Sequence, residues 1–219
     1  MPPGTRDLLH PRHDPVGEAG RHTPAGLSAE VLAFVCARGP THPADLDARF
    51  GRKRAVNGWG GTPKATTRAL EGLRHFGLPR VAHRRDGIRV YEAAPPLPPD
   101  GRPGADPAGR ARRLVLLVVR LLAPVSPASL RGALALMARY NPGLGPLAPV
   151  AAAALRRGKL ERGDVEGETY LWPVPEAGVP SGPAPGRLRL LAPFDPLAWD
   201  RRRFEHPWGW PTGSRPTRL

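Results

Sequence analysis

Between Thr62 and Phe76 the apolar positions recur at helical spacing. At ~100° per residue, Thr66, Ala69, Leu70, Leu73 and Phe76 share one side. Lys64, Arg68, Glu71 and His75 form a polar stripe opposite, flanked by Thr67 and Arg74. Gly77 follows as a left-handed C-cap, because a residue without Cβ takes positive φ cheaply. Leu78–Arg84 and Ile88–Glu92 then read as strands joined by Arg85-Asp86-Gly87, whose Asp-Gly is a hairpin signal. A basic loop, a helix and a hairpin predict the second half of a winged helix-turn-helix.

The residues before this stretch supply the first half. Ser28 is placed to cap a helix to Arg38, with Val31, Leu32 and Val35 on one face and Cys36 between apolar positions as a small buried hydrophobe. Gly39-Pro40 ends that helix, and His42-Pro43 opens a second one to Phe50. Farther on, the pattern starts again. Arg112–Leu122 is a strongly apolar helix, Pro124 stops it, and Ser126-Pro127 caps another to Tyr140. Asn141-Pro142-Gly143 is a turn, Leu147–Arg157 a third helix, and Lys159–Val165 with Glu168–Trp172 a hairpin around Glu166-Gly167. Val31, Leu32, Val35, Pro40, Pro43, Ala44 and Leu46 recur as Val115, Leu116, Val119, Pro124, Pro127, Ala128 and Leu130, each offset by 84. Val90-Tyr91 matches Tyr170-Leu171 at an offset of 80. These matches predict an internal duplication.

The predicted fold is mainly α with small β-hairpin wings: two tandem winged helix-turn-helix modules and a partial C-terminal segment. The expected organisation is a disordered N-terminal segment over 1–26, a DNA-binding winged helix over 27–92, and a Pro/Gly linker over 93–109. A scaffold winged helix over 110–173, a linker over 174–186, the partial segment over 187–210 and a disordered tail over 211–219 complete it. The strand-like alternation Arg187–Leu191 opens the partial segment.

Composition adds limits. Thirty Pro and 26 Gly in 219 residues favour compact modules separated by disordered links. One cysteine excludes a disulfide within the chain, and the seven His show no metal-ligand spacing, so neither a metal nor another cofactor is expected. The N-terminus lacks the apolar core of a signal peptide. The longest apolar run, Leu114–Val119, is too short to span a bilayer. The expected setting is cytoplasmic and nucleoid-associated, with no membrane partner.

Charge changes the picture more. From Arg49 to Glu92 eleven Lys/Arg stand against Glu71, Asp86 and Glu92, a net +8 in a chain that is +14 overall. Clustered cations point to double-stranded DNA, since affinity comes from counterion release at phosphates. The alternative is a solvated arginine-rich surface, which fits 30 Arg among the 33 basic residues. The second copy differs. Its third helix is apolar until Arg156-Arg157, and its wing sets Glu161, Asp164, Glu166 and Glu168 against Arg162. It reads as a packing module.

The stretches FGRKRAVNGWGG, GIRVYE and above all LLAPFDPLAWDRRRFEHPWGW resemble the YcaQ/AlkZ-like winged-helix DNA glycosylases over roughly residues 27–210. The resemblance implies tandem winged helices and metal-free hydrolysis of N-glycosidic bonds, in excision of alkylated bases or unhooking of interstrand cross-links. It also implies a catalytic Gln-x-Gln or Gln-x-Asp motif in a preceding winged helix, whereas this chain contains no glutamine. Both ends look cut, so the expectation is duplex DNA binding without the catalytic glutamines, alongside a separately encoded N-terminal glycosylase fragment. No spare long amphipathic helix is present for a dimer, so a monomer is expected. The alternative is a winged-helix transcriptional regulator with a dimeric, palindromic target.

The candidate DNA-binding residues are Arg52, Lys53, Arg54, Lys64, Thr67, Arg68, Arg74, Arg84, Arg85, Arg89, Arg201 and Arg202; no catalytic residue is assigned. Arg201–Arg203 grip phosphates or pair with Asp200 and Glu205, and the two readings are balanced. Trp59 either anchors its loop or stacks against nucleic acid. Asp195 and Asp200, the carboxylates of the best-matching motif, read as turn or cap and as ion pair before they read as catalytic.

Overall fold

The computed structural model of the chain describes residues 5–11, 23–55, 60–95, 97, 105–174 and 195–209. The readings for Trp59, Arg187–Leu191 and 211–219 lie outside them. The chain divides into two compact units, Met1–Pro107 with Tyr140–Gly143, and Ala108–Arg139 with Leu144–Leu219.

In the first unit α1 covers Thr5–Leu9, α2 Leu27–Arg38, α3 Pro43–Phe50 and α4 Ala65–His75, followed by strands β1 (Pro79–Arg85) and β2 (Ile88–Ala93). The apolar side of α4 is buried as its spacing requires, with Ala69 and Leu73 fully enclosed. They meet Val31 and Val35 of α2, Leu46 of α3, Leu70, Phe76 and Tyr91 in one cluster. Proline at the start of α3 is joined by a reciprocal cap: His42 Nδ1 accepts from the Ala44 amide at 3.1 Å, and the His42 amide donates to Asp45 Oδ2 at 3.0 Å. β1 and β2 pair antiparallel, with Arg85 opposite Ile88 and Arg84 opposite Arg89, and a bulge between Val81 and His83. Asp86 and Gly87 sit at φ 53° and 77°, the conformation a two-residue hairpin turn with matching twist demands.

The second unit follows the same path. It contains α5 (Pro107–Leu122, whose first residue is assigned to the first unit), α6 (Pro127–Tyr140, whose last residue is assigned to the first unit), the end of a 3-10 turn at Pro142–Leu144 whose first two residues are likewise assigned to the first unit, and α7 (Ala148–Arg156). The hairpin of β3 (Leu160–Val165) and β4 (Glu168–Pro173) and the helices α8 (Pro196–Trp199) and α9 (Arg201–Trp208) follow. The likeness extends to single bridges. Thr41 pairs with Tyr91 across β2, and Val125 with Leu171 across β4, at the offsets of 84 and 80 already seen in the sequence. Glu166 and Gly167 repeat the left-handed turn at φ 50° and 85°. Each helix-to-hairpin junction closes with one amide reaching back five residues, Leu78 to the Leu73 carbonyl and Lys159 to that of Ala154. The fold is mainly helical with two small antiparallel hairpins, winged-helix-like in both units.

Four expectations need correction. Ser28 does not cap α2: Gly26 holds that position, and Ser28 is buried within the helix with its hydroxyl 3.3 Å from that of Thr23. The Leu27 amide donates to the Pro24 carbonyl and starts the helix earlier. Cys36 is exposed, because Val31 and Val35 define the inward stripe and the next position turns away from it. The N-terminal segment is not wholly irregular: α1 buries Thr5, and His10 Nδ1 donates to the His75 carbonyl at 2.7 Å, over the end of α4. Finally, α5 begins at Pro107 rather than Arg112, because Gly109, Arg110 and Ala111 are buried and hold the added turn in place.

Candidate nucleic-acid interface

The start of α4 is built around a buried acid. Asp47 points inward from α3, its side chain 6% exposed, where a carboxylate needs partners. Thr66 donates to Oδ1 at 2.9 Å, Lys64 to Oδ2, and Arg52 approaches Oδ2 at 4.0 Å. Burial alone would push this carboxyl up. The hydrogen bonds from Lys64 and Thr66, with the charges of Lys64 and Arg52, outweigh it and hold the group below its usual range. Backbone contacts then bring the basic loop alongside α4. The Ala65 amide donates to the Lys53 carbonyl at 2.8 Å, and the Ala55 amide to that of Pro63 at 2.9 Å. Arg54 donates to the Thr62 carbonyl at 3.0 Å. Arg52, Lys53 and Arg54 are therefore held exposed at the N-terminal end of α4, where the helix dipole also favours an anion.

The hairpin gives a second cationic feature. Arg84 and Arg89 lie directly opposite on one face, and Arg85 adjoins them; all three are exposed. Like charges so placed destabilise a two-stranded ribbon. Arg84 turns to the Gly87 carbonyl, 2.7 Å away, and Arg80 is neutralised by Glu92 at 2.7 Å. In the second unit the position of the arginine pair holds Asp164 and Thr169, which satisfy each other through a 2.6 Å hydrogen bond.

The remaining candidates are not equivalent. Lys64 serves Asp47 and is half-exposed. Thr67 and Arg68 are half-buried on α4, with Arg68 3.9 Å from Glu71. Arg74 is exposed at the other end of the helix, ~15 Å from Lys64 at 1.5 Å per residue. Arg201 and Arg202 open α9 in the second unit, and their side chains lie outside the described residues.

Two features escaped sequence reading. Asp47 is the acid that organises the loop, and its only signal was an acid beside Leu46 on a core-facing helix. Arg203, expected with Arg201 and Arg202 to grip phosphates or pair with acids, is buried away from any phosphate and donates to the carbonyls of Leu122, Pro124 and Pro196. Asp200 caps α9 by accepting from the Arg203 amide at 3.4 Å. Burial lowers the Arg203 guanidinium from its usual value, and Asp200 counters it. Among the described residues no group of three or more His, Cys, Asp or Glu could hold a metal ion, and no helix is long and apolar enough to cross a membrane.

A family model described as DNA glycosylase AlkZ-like matches residues 1–214. The chain belongs to the AlkZ-like DNA glycosylase family. The family is one of DNA-repair hydrolases, which makes DNA the partner class of this AlkZ-like protein. A search of curated proteins and of solved structures found no match.

Proposed function

We propose that this AlkZ-like chain binds duplex DNA mainly through its backbone, using the basic loop Arg52–Arg54, the exposed side of α4 and the β1–β2 hairpin. The observation that carries the reading is the opposed pair Arg84 and Arg89 beside Arg85. A phosphate between them removes a repulsion that the protein otherwise bears alone. The loop at the start of α4 adds a second phosphate position. In this reading the chain works as a monomer at the nucleoid, in excision of alkylated bases or unhooking of interstrand cross-links. It contributes grip and placement rather than glutamine-dependent chemistry, since its sequence holds no glutamine.

The test is binding of the purified chain to an undamaged duplex and to one with a central abasic analogue, across a salt series. Tighter binding to the abasic duplex that persists at high salt supports a lesion-recognising surface. Equal binding that falls steeply with salt supports phosphate contact alone. Failure to bind either duplex at low salt overturns the proposal.

A further inference from the structure

In the second unit α7 occupies the place that α4 has in the first, with opposite chemistry. Residues Ala148–Leu155 carry no charge, yet Ala151 is the only buried residue of α7; Ala148, Pro149 and Ala152 are exposed. A helix that is apolar all round is normally enclosed. This one has no charged face before Arg156, and among the described residues only Ala151 is enclosed.

Between α5 and α7 runs an open groove of about 710 Å³. Leu116, Val150 and Ala153 supply apolar lining, and Arg112, Arg157 and Lys159 stand among its polar groups; among the described residues no acid lines it. Alanines along one wall allow a partner backbone to approach closely. Duplex DNA is a poorer occupant: its phosphates could pair with Arg112, Arg113, Arg157 and Lys159, but nothing on its backbone would cover Leu116, Leu144 and Val150. The matching chemistry is an apolar ridge bordered by carboxylates. We infer that this groove is a docking site for an acidic amphipathic helix of a partner protein, seated apolar face down with its acids against Arg112, Arg157 and Lys159. The inference is independent of the DNA-binding reading, which concerns the other unit.

A fluorescein-labelled peptide of about 18 residues tests it, with Leu at i, i+3, i+4 and i+7 spacing and Glu elsewhere. Titrated with the full chain, it should bind saturably. A shuffled peptide of identical composition should bind about tenfold more weakly, ~1.4 kcal/mol. Ala153→Glu, which fills the groove with like charge, and Arg157→Glu, on the exposed rim, should each weaken the ordered peptide by about tenfold with an unchanged circular-dichroism melt. An excess of duplex DNA should leave the peptide bound. Equal affinity for both peptides would mean charge attraction only and overturn the inference. It fails equally if Arg157→Glu has no effect, or if duplex displaces the peptide, which would assign the groove to nucleic acid.

Discussion

Asp47 shows how one buried carboxylate can set the shape of a cationic surface. Its pull on Lys64 and Thr66 fixes the first turn of α4, and the basic loop is hydrogen-bonded to the same place. Asp47→Asn should cost about 1.5–3 kcal/mol in urea unfolding, because a charge-assisted bond is lost and Lys64 keeps no carboxylate. The pH dependence follows from the direction of its shift. A carboxyl held below its usual value in the fold contributes stability above its unfolded value and loses it as pH falls through the folded one. The wild type should therefore lose this increment below about pH 4, while the Asn variant should not show that component. Arg203 is a comparable case in the second unit. Lysine cannot span the carbonyls of Leu122, Pro124 and Pro196. Arg203→Lys should lower stability by about 2–4 kcal/mol, read from the denaturant midpoint. Neither role was visible in the sequence. The groups that Arg203 meets at Leu122 and Pro124 lie some 80 positions away, and those that Asp47 meets at Lys64 and Thr66 lie 17 and 19 positions on, at the start of another helix.

The elements themselves were far more legible, for local reasons. Asp86-Gly87 adopts the left-handed turn its residue types favour, Glu166-Gly167 repeats it with glycine at the second position, and the 3.6-residue spacing in α4 identified its buried side. Boundaries and exposed edges were less so. Packing of Gly109–Ala111 extends α5 backwards, and the hydrogen bond from His10 to the His75 carbonyl orders a stretch whose composition suggested none. The two hairpins also offer a matched test of the DNA reading. Arg84→Glu with Arg89→Glu should reduce duplex affinity at least about tenfold and flatten the salt dependence by about two units of slope. Glu168→Gln, on the acidic hairpin, should change affinity less than about twofold by the same anisotropy titration.

Across the whole chain, a repeated pattern has diverged by charge. The bridges Thr41–Tyr91 and Val125–Leu171 preserve the scaffold, while the opposed arginines of one hairpin are replaced by an Asp-Thr bond in the other. The duplication could be read in advance because it rests on apolar residues and prolines at a constant offset. The difference between the copies lies in how their charges are partnered, and that depends on side-chain contacts rather than on spacing. The Arg84–Arg89 pair has a thermal consequence. A fold that carries unrelieved repulsion within a +14 chain is firmer when counterions are plentiful. Raising NaCl from about 50 to 300 mM should increase the melting temperature by a few degrees. Heparin or polyphosphate should do the same at far lower ionic strength, with no base or lesion present, so a stabilising shift in a thermal screen would report polyanion relief rather than recognition.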